Sequence, residues 1–301
     1  MASSRHYWSV TAPTPELIGA AQSVKRRMIN SALPTVAKSR VATARPPGTL
    51  RTQVAMNDAA KRSLGQPVLG SRPFKRTARK VTTTPPMVVG FATDVSGSMS
   101  WSSTAVGEAC WILARGAAHS GARVAALTFG ERVDATYLPG EVPQEVIVRM
   151  ATDGTESADR AMAAIDGALG LSDTDPRARN GARLLVVVSD THYTWTQSAK
   201  FASHIARITL AGTHVLIVGC SDNQADDLRR NVARINAKVP PNKRPMNMPA
   251  GTILNISLQT LEDEIPEQRW HPNWSHRLRD SIVDHVLDRI ESIRDEARAH
   301  H

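Results

Sequence analysis

"ATDVSGSMS", residues 92–100, follows the apolar run Met87-Val88-Val89-Gly90-Phe91 and sets one acid and three hydroxyls at alternate positions: Asp94, Ser96, Ser98 and Ser100. Acid and hydroxyls at this spacing after a strand offer oxygen ligands to a hard cation. A nucleophile, a phosphate cradle and an ordinary turn compete for the same residues. The flanking chain decides between them.

Working outward, strands and helices alternate. Met87–Thr93 is a continuous apolar strand. Residues 104–120 carry Val106, Cys110, Leu113 and Ala117 at spacings of four, three and four, which predicts a helix stopped by Gly121. "RVAALTF" (123–129) is the next strand, and "RVDATYL" (132–138) alternates like a short antiparallel edge strand. "SADRAMAAIDGALGL" (157–171) is a helix with Ser157 at its cap. "ARLLVVVSD" (182–190) is the third strong strand, with six apolar residues, as expected when both faces are covered. Then come helix 196–212, strand 213–220, helix 224–238, the Pro-rich loop 239–251, strand 252–258 and a charged amphipathic C-terminal helix. This alternation predicts an α/β fold, a doubly wound (Rossmann-like), mostly parallel sheet with helices on both faces.

In such sheets the working site lies beyond the carboxyl ends of the strands. Asp94, Ser96 and Ser98 follow the first strand, Asp190 follows "LLVVVS", and "ATDGTES" brings Thr155 behind Gly154. These residue types suit Mg²⁺ (or Mn²⁺): hydroxyls serve as neutral direct ligands, and the two carboxylates hold bound water and balance charge. A cation with few anionic ligands seeks one more carboxylate, and a partner protein can supply it.

With these residues in hand, "DVSGSM", Thr155 and Asp190 together resemble the metal-ion-dependent adhesion site (MIDAS) of von Willebrand factor A (VWA) domains, in the family's order. The resemblance covers roughly 85–265. It implies the VWA fold, and Asp94, Ser96, Ser98, Thr155 and Asp190 as the metal residues. One departure is Thr191-His192 after the last acid, where the family often has Gly. The stretch "RPPGTLRTQVAMNDAAKRSLGQPVLGSRPFKRTARKVTTTPP" is similar to the segment ahead of the A domain in cobaltochelatase-subunit-like proteins. Those proteins work with MoxR-like AAA+ ATPases. The domain organisation expected is a basic, partly ordered N-terminal extension over 1–84, the VWA domain over 85–265 and a C-terminal amphipathic helix over 266–301.

Charge separates these parts. Residues 1–84 hold 15 Lys and Arg against Glu16 and Asp58, net +13; the other 217 residues hold 22 basic and 26 acidic side chains, net −4. The extension reads as extended arms around one short helix near 51–64. Its apolar anchors Leu50, Val54, Leu64, Val68, Leu69 and Phe74 favour a segment 45–84 strapped onto the domain. A basic arm invites a nucleic-acid partner, though Tyr7, Trp8 and Phe74 are its only stacking aromatics.

Several classes are set aside. No 18-residue apolar run exists to span a membrane, and the N-terminus lacks a secretory pattern. Cys110 and Cys220 sit in apolar runs without metal spacing, as buried thiols of a cytoplasmic protein. There is no G-x-S-x-G elbow, no G-x-x-x-x-G-K-[ST] loop, and no second acid two residues after Asp94. His119, His192, His204 and His214 give Ser96 no evident base. The chain therefore reads as no enzyme but as a metal-dependent protein–protein interaction module, an adaptor of a MoxR-like AAA+ ATPase in protein remodelling or chelatase-like metal insertion. The alternative is an RNA-binding VWA protein resembling the Ro autoantigen and using the basic arm, although 1–84 is too short for that protein's helical-repeat ring.

Overall fold

A computed structural model describes residues 7–32, 35–82, 87–150, 157–174, 182–190, 195–219, 253–255 and 272–299. They fall into two compact units, one of residues 1–32 with 85–300 and one of residues 33–84.

The larger unit is built on six strands: β5 (Val88–Asp94), β6 (Arg123–Phe129), β7 (Val133–Tyr137), β9 (Arg183–Ser189), β10 (His214–Gly219) and β11 (Ile253–Asn255). Their order across the sheet is β11-β10-β9-β5-β6-β7. All neighbours pair parallel except β7, which runs antiparallel at the edge beside β6. The doubly wound, mostly parallel α/β architecture is the one expected, including the alternating edge strand.

Period-two geometry explains why the central strands are apolar throughout. Val89, Phe91, Leu184, Val186 and Val188 enter one core, while Ala92, Leu185 and Val187 enter the other. Both faces are covered, so neither set of positions tolerates a polar residue. The first core is roofed by α1 (Pro15–Ser31), α3 (Ser103–His119) and α6 (Pro272–Ala299), the second by α4 (Ala158–Leu169) and α5 (Trp195–Leu210). Each fully buried Leu, Ile, Val or Phe contributes about 1.5–3 kcal/mol relative to exposure.

Helix α1 lies within the expected basic extension. Leu17, Ala21, Val24 and Met28 repeat at four, three and four and are all buried. Thr14 accepts the Leu17 N–H on its Oγ1 at 3.3 Å, and Pro15 takes the first helical turn, where no N–H is needed. Opposite this face, α3 presents Gly116; a Cβ there would meet Val24 Cγ1 at 2.5 Å and the Ala21 carbonyl at 2.8 Å. The glycine sets how closely the two helices approach. Ahead of α1, β1 (Tyr7–Thr11) pairs antiparallel with β8 (Val146–Met150). The division between units therefore falls inside the expected 1–84 extension, and residues 7–32 belong with the sheet. Helix α6, expected as a separate C-terminal element, belongs with it too. Its Arg279 joins Glu16 at 2.6 Å, Glu108 at 3.3 Å and Asp280 at 2.8 Å, and Arg294 donates to the Met28 carbonyl.

The smaller unit contains β2 (Thr35–Thr43), β3 (Thr49–Leu50), α2 (Thr52–Ser63) and β4 (Phe74–Thr82). The helix expected near 51–64 is present. The flanking arms, expected to be extended, form a three-stranded antiparallel sheet in the order β2-β4-β3. Asp58 is buried in this unit, and it accepts a hydrogen bond from the Ser71 hydroxyl. The helix expected over 224–238, the loop 239–251 and Cys220 lie outside the described residues.

Candidate metal centre

Strands β5 and β9 are adjacent, with Thr93 opposite Val188. From β5 the chain moves outward through β6 and β7, then returns to the far side for β9, β10 and β11. The reversal leaves a crevice beyond the carboxyl ends of β5 and β9, the place where open α/β sheets hold ligands. Asp94 is the last residue of β5, and Asp190 directly follows β9. Topology alone thus brings together two acids 96 positions apart in the sequence.

Local hydrogen bonding shapes the turn. Asp94 Oδ1 accepts the Ser96 N–H at 2.8 Å, an Asx-type closure that folds the chain back after the strand. Asp94 Oδ2 accepts the Ser189 hydroxyl at 2.7 Å. The Val95 N–H is held by the Phe129 carbonyl at 2.9 Å. Ser96 Oγ and Ser98 Oγ stand 3.1 Å apart. Met99, 1% exposed, anchors the 3₁₀ turn Gly97–Ser102 that leads into α3. The two serine hydroxyls therefore meet.

Burial grades across the site. Asp94, Ser96 and Asp190 are 3%, 1% and 5% exposed, whereas Ser98 is exposed at the rim. Burial pushes the Asp94 carboxyl above the usual carboxylate range. The Ser189 and Ser96 hydrogen bonds pull it down, and the neighbouring Asp190 charge pushes it up again. Two buried carboxylates beside a hydroxyl pair form an oxygen-only donor set with excess negative charge. That chemistry fits a hard divalent cation. Among the described residues no three His, Cys, Asp or Glu side chains gather, so the donor set depends on hydroxyls. Thr155 and His192, the other loop residues singled out from the sequence, lie outside the described residues.

Ser189 was missed by sequence reasoning. The available signal was a hydroxyl at the last position of an otherwise apolar strand, in "LLVVVSD". Beside the turn, Tyr7, Trp8, Val95, Thr128, Arg132 and Met150 contribute to a cavity of about 270 Å³.

No protein-family model matches the chain. No curated protein matches it either. Among solved structures, it is similar to an aerotolerance-related membrane protein from Bacteroides fragilis, at 12% identity and TM-score 0.31, over 44% of this chain and 67% of that one. It is also similar to the conserved hypothetical protein BatB from Bacteroides thetaiotaomicron, at 11% identity and TM-score 0.31, over 46% and 68%. A third is the manganese-loaded TRAP protein of Plasmodium vivax, at 9% identity and TM-score 0.39, over 77% and 76%.

Proposed function

We propose that Asp94, Ser96, Ser98 and Asp190, with Thr155, hold Mg²⁺ or Mn²⁺ as a VWA-type metal-ion-dependent adhesion site that docks a partner protein. The observation that carries it is the pairing of two buried carboxylates with the Ser96–Ser98 hydroxyl pair at the sheet's reversal point. Once bound, a divalent cation supplies a hard, electron-poor centre for an Asp or Glu of the partner. Ser96 and Ser98 offer neutral oxygens, and Ser98 lies at the solvent side. Asp94 has both oxygens engaged by Ser96 and Ser189, so it is held in place and balances charge. Neither oxygen is presented as a general base, which supports an interaction module over an enzyme.

The partner we propose is a MoxR-like AAA+ ATPase or its client, in protein remodelling or chelatase-like metal insertion within the cytoplasm. Support comes from the resemblance of the segment ahead of the sheet to that of cobaltochelatase-subunit-like proteins. Calorimetry of the full chain with an adjacently encoded ATPase, with and without chelator, tests this. Chelation should weaken binding about tenfold or more, a loss of about 1.4 kcal/mol or greater. Asp94→Ala should reproduce that loss and make chelator redundant. Undiminished binding in chelator rejects the docking role.

A further inference from the structure

We propose that the unit of residues 33–84 binds duplex DNA through the ribbon formed by β2 and β4, independently of the metal centre. Residues 33–84 contain eleven Lys and Arg and a single acid, Asp58, a net charge of +10. That acid is buried and accepts a hydrogen bond from Ser71. Arg40, Lys75 and Arg76 are exposed, and none is ion-paired with a described acid. Register sets Arg40 opposite Thr77, Val41 opposite Arg76 and Ala42 opposite Lys75. Arg40 and Lys75 thus share one side of the ribbon and Arg76 takes the other.

Three features favour a duplex over other polyanions. Each strand is nine residues long, giving a ribbon about 30 Å in length. The B-form major groove is wide enough for a two-stranded ribbon. Seven of the eleven cations are Arg, whose fork matches phosphate oxygens bidentately, and Thr43 and Thr77 add hydroxyls of the kind that contact the sugar–phosphate backbone. Phe74 is the unit's one aromatic, too few for the base-stacking platforms of single-strand binders.

Fluorescence anisotropy of the full chain with a 24-base-pair DNA duplex, at salt from about 50 to 200 mM, tests the proposal. Expected is a dissociation constant on the order of 10⁻⁶ M at low salt, with a steep linear salt dependence. Arg40→Gln, Lys75→Gln and Arg76→Gln together should raise it at least tenfold and flatten the salt slope by about 2.7, at roughly 0.9 per phosphate contact. An unchanged melting temperature and circular dichroism spectrum would show the ribbon intact. Lys25→Gln, Arg26→Gln and Arg132→Gln remove equal charge from the other unit and should change binding less than about twofold. Chelator should have no effect. Equal losses in the two triple variants would overturn the location. Tighter binding of a single strand would overturn the groove geometry, and displacement of duplex by equimolar polyglutamate would assign the surface to an acidic protein.

Discussion

The hydroxyl of Ser189 donates to Oδ2 of Asp94 at 2.7 Å, joining the ends of two neighbouring strands that lie 95 positions apart in the chain. It fixes which way the carboxylate faces, because the other oxygen is already tied to the Ser96 N–H. A side chain that orients a ligand without contacting the metal typically changes affinity by about 10–100-fold when removed. Ser189→Ala should therefore shift the metal titration of thermal stability to about tenfold higher Mg²⁺ or Mn²⁺ while leaving the saturating shift unchanged. Calorimetric metal titration checks it; identical affinity would mean that Ser189 serves only the strand end.

Removing both hydroxyls is a harsher change. The wild type should gain thermal stability in millimolar Mg²⁺ or Mn²⁺, about 2.7 kcal/mol at a hundredfold excess over the dissociation constant. Ser96→Ala with Ser98→Ala should abolish this gain and keep the metal-free melting temperature within a few degrees. A full metal shift in the double variant would sink the site assignment.

The close approach of α1 and α3 gives a packing prediction. Gly116→Ala favours the helix by up to about 1 kcal/mol on propensity alone. Its new methyl, however, would sit 2.5 Å from Val24 Cγ1 and 2.8 Å from the Ala21 carbonyl, and a backbone atom cannot rotate aside. Overpacking of this kind costs about 1–3 kcal/mol. A net loss of stability is expected in urea denaturation. Combining it with Val24→Ala should recover part of that loss if the contact is the cause.

Cys110 provides a pH signature. Burial pushes its thiol from an ordinary 9.0 up to about 12. The unfolded chain sheds this proton above about pH 9, while the folded chain keeps it until about 12. The native state thus binds more protons in that window, and stability falls as pH rises through it. Tyr137, also pushed upward by burial, adds to the decline. Cys110→Ala should flatten the stability-versus-pH slope above pH 9. In a Cys220→Ser background, Cys110 should resist a thiol reagent until the protein unfolds. Prompt labelling of the native chain would contradict its burial.

Arg279 tests how the last helix is held. It is 3% exposed and reaches acids on α1, α3 and its own helix. Arg279→Ala leaves Glu108 largely buried without this partner and should cost about 2–3 kcal/mol. Glu16→Gln, at an exposed position, should cost less than about 1 kcal/mol. Equal effects would show that the cluster does not centre on the arginine.

Legibility in the sequence followed the local physics. Strands β5, β6, β9 and β10 were readable because covering both faces forces unbroken apolar runs. Strand β7 was readable from the alternation of its sequence, although a register shift at Ala126/Leu127 sets Val133 against one core and Tyr137 in the other. Helix α1 carried a usable four-three-four repeat, yet Lys25-Arg26-Arg27 in its middle makes the segment resemble a solvated arm. Strand β1 is exposed along its whole length, and its partner lies about 140 positions away, so no local pattern marks the pairing. Strands β2 and β4 are Arg-, Lys- and Thr-rich and present no apolar face to detect. At the candidate site, Asp94, Ser96, Ser98 and Asp190 were legible as motif residues and lie together. Ser189 was not, because its role depends on a neighbour that only the sheet order supplies. Ser157 stands at the start of α4 as expected, but its hydroxyl donates to the Glu131 carbonyl instead of capping the helix.

Helix α1 also bears on the order in which the chain can assemble as it leaves the ribosome. Arg27 hydrogen-bonds to Asp288 and Glu291, 261 and 264 residues downstream. During synthesis α1 finds α3 within about the first 120 residues, but its remaining flank stays open until α6 emerges. At roughly 5–20 residues per second, that interval lasts on the order of ten seconds or more. Throughout it the nascent chain exposes the apolar surface that α6 later covers, and holdase chaperones have their opportunity there.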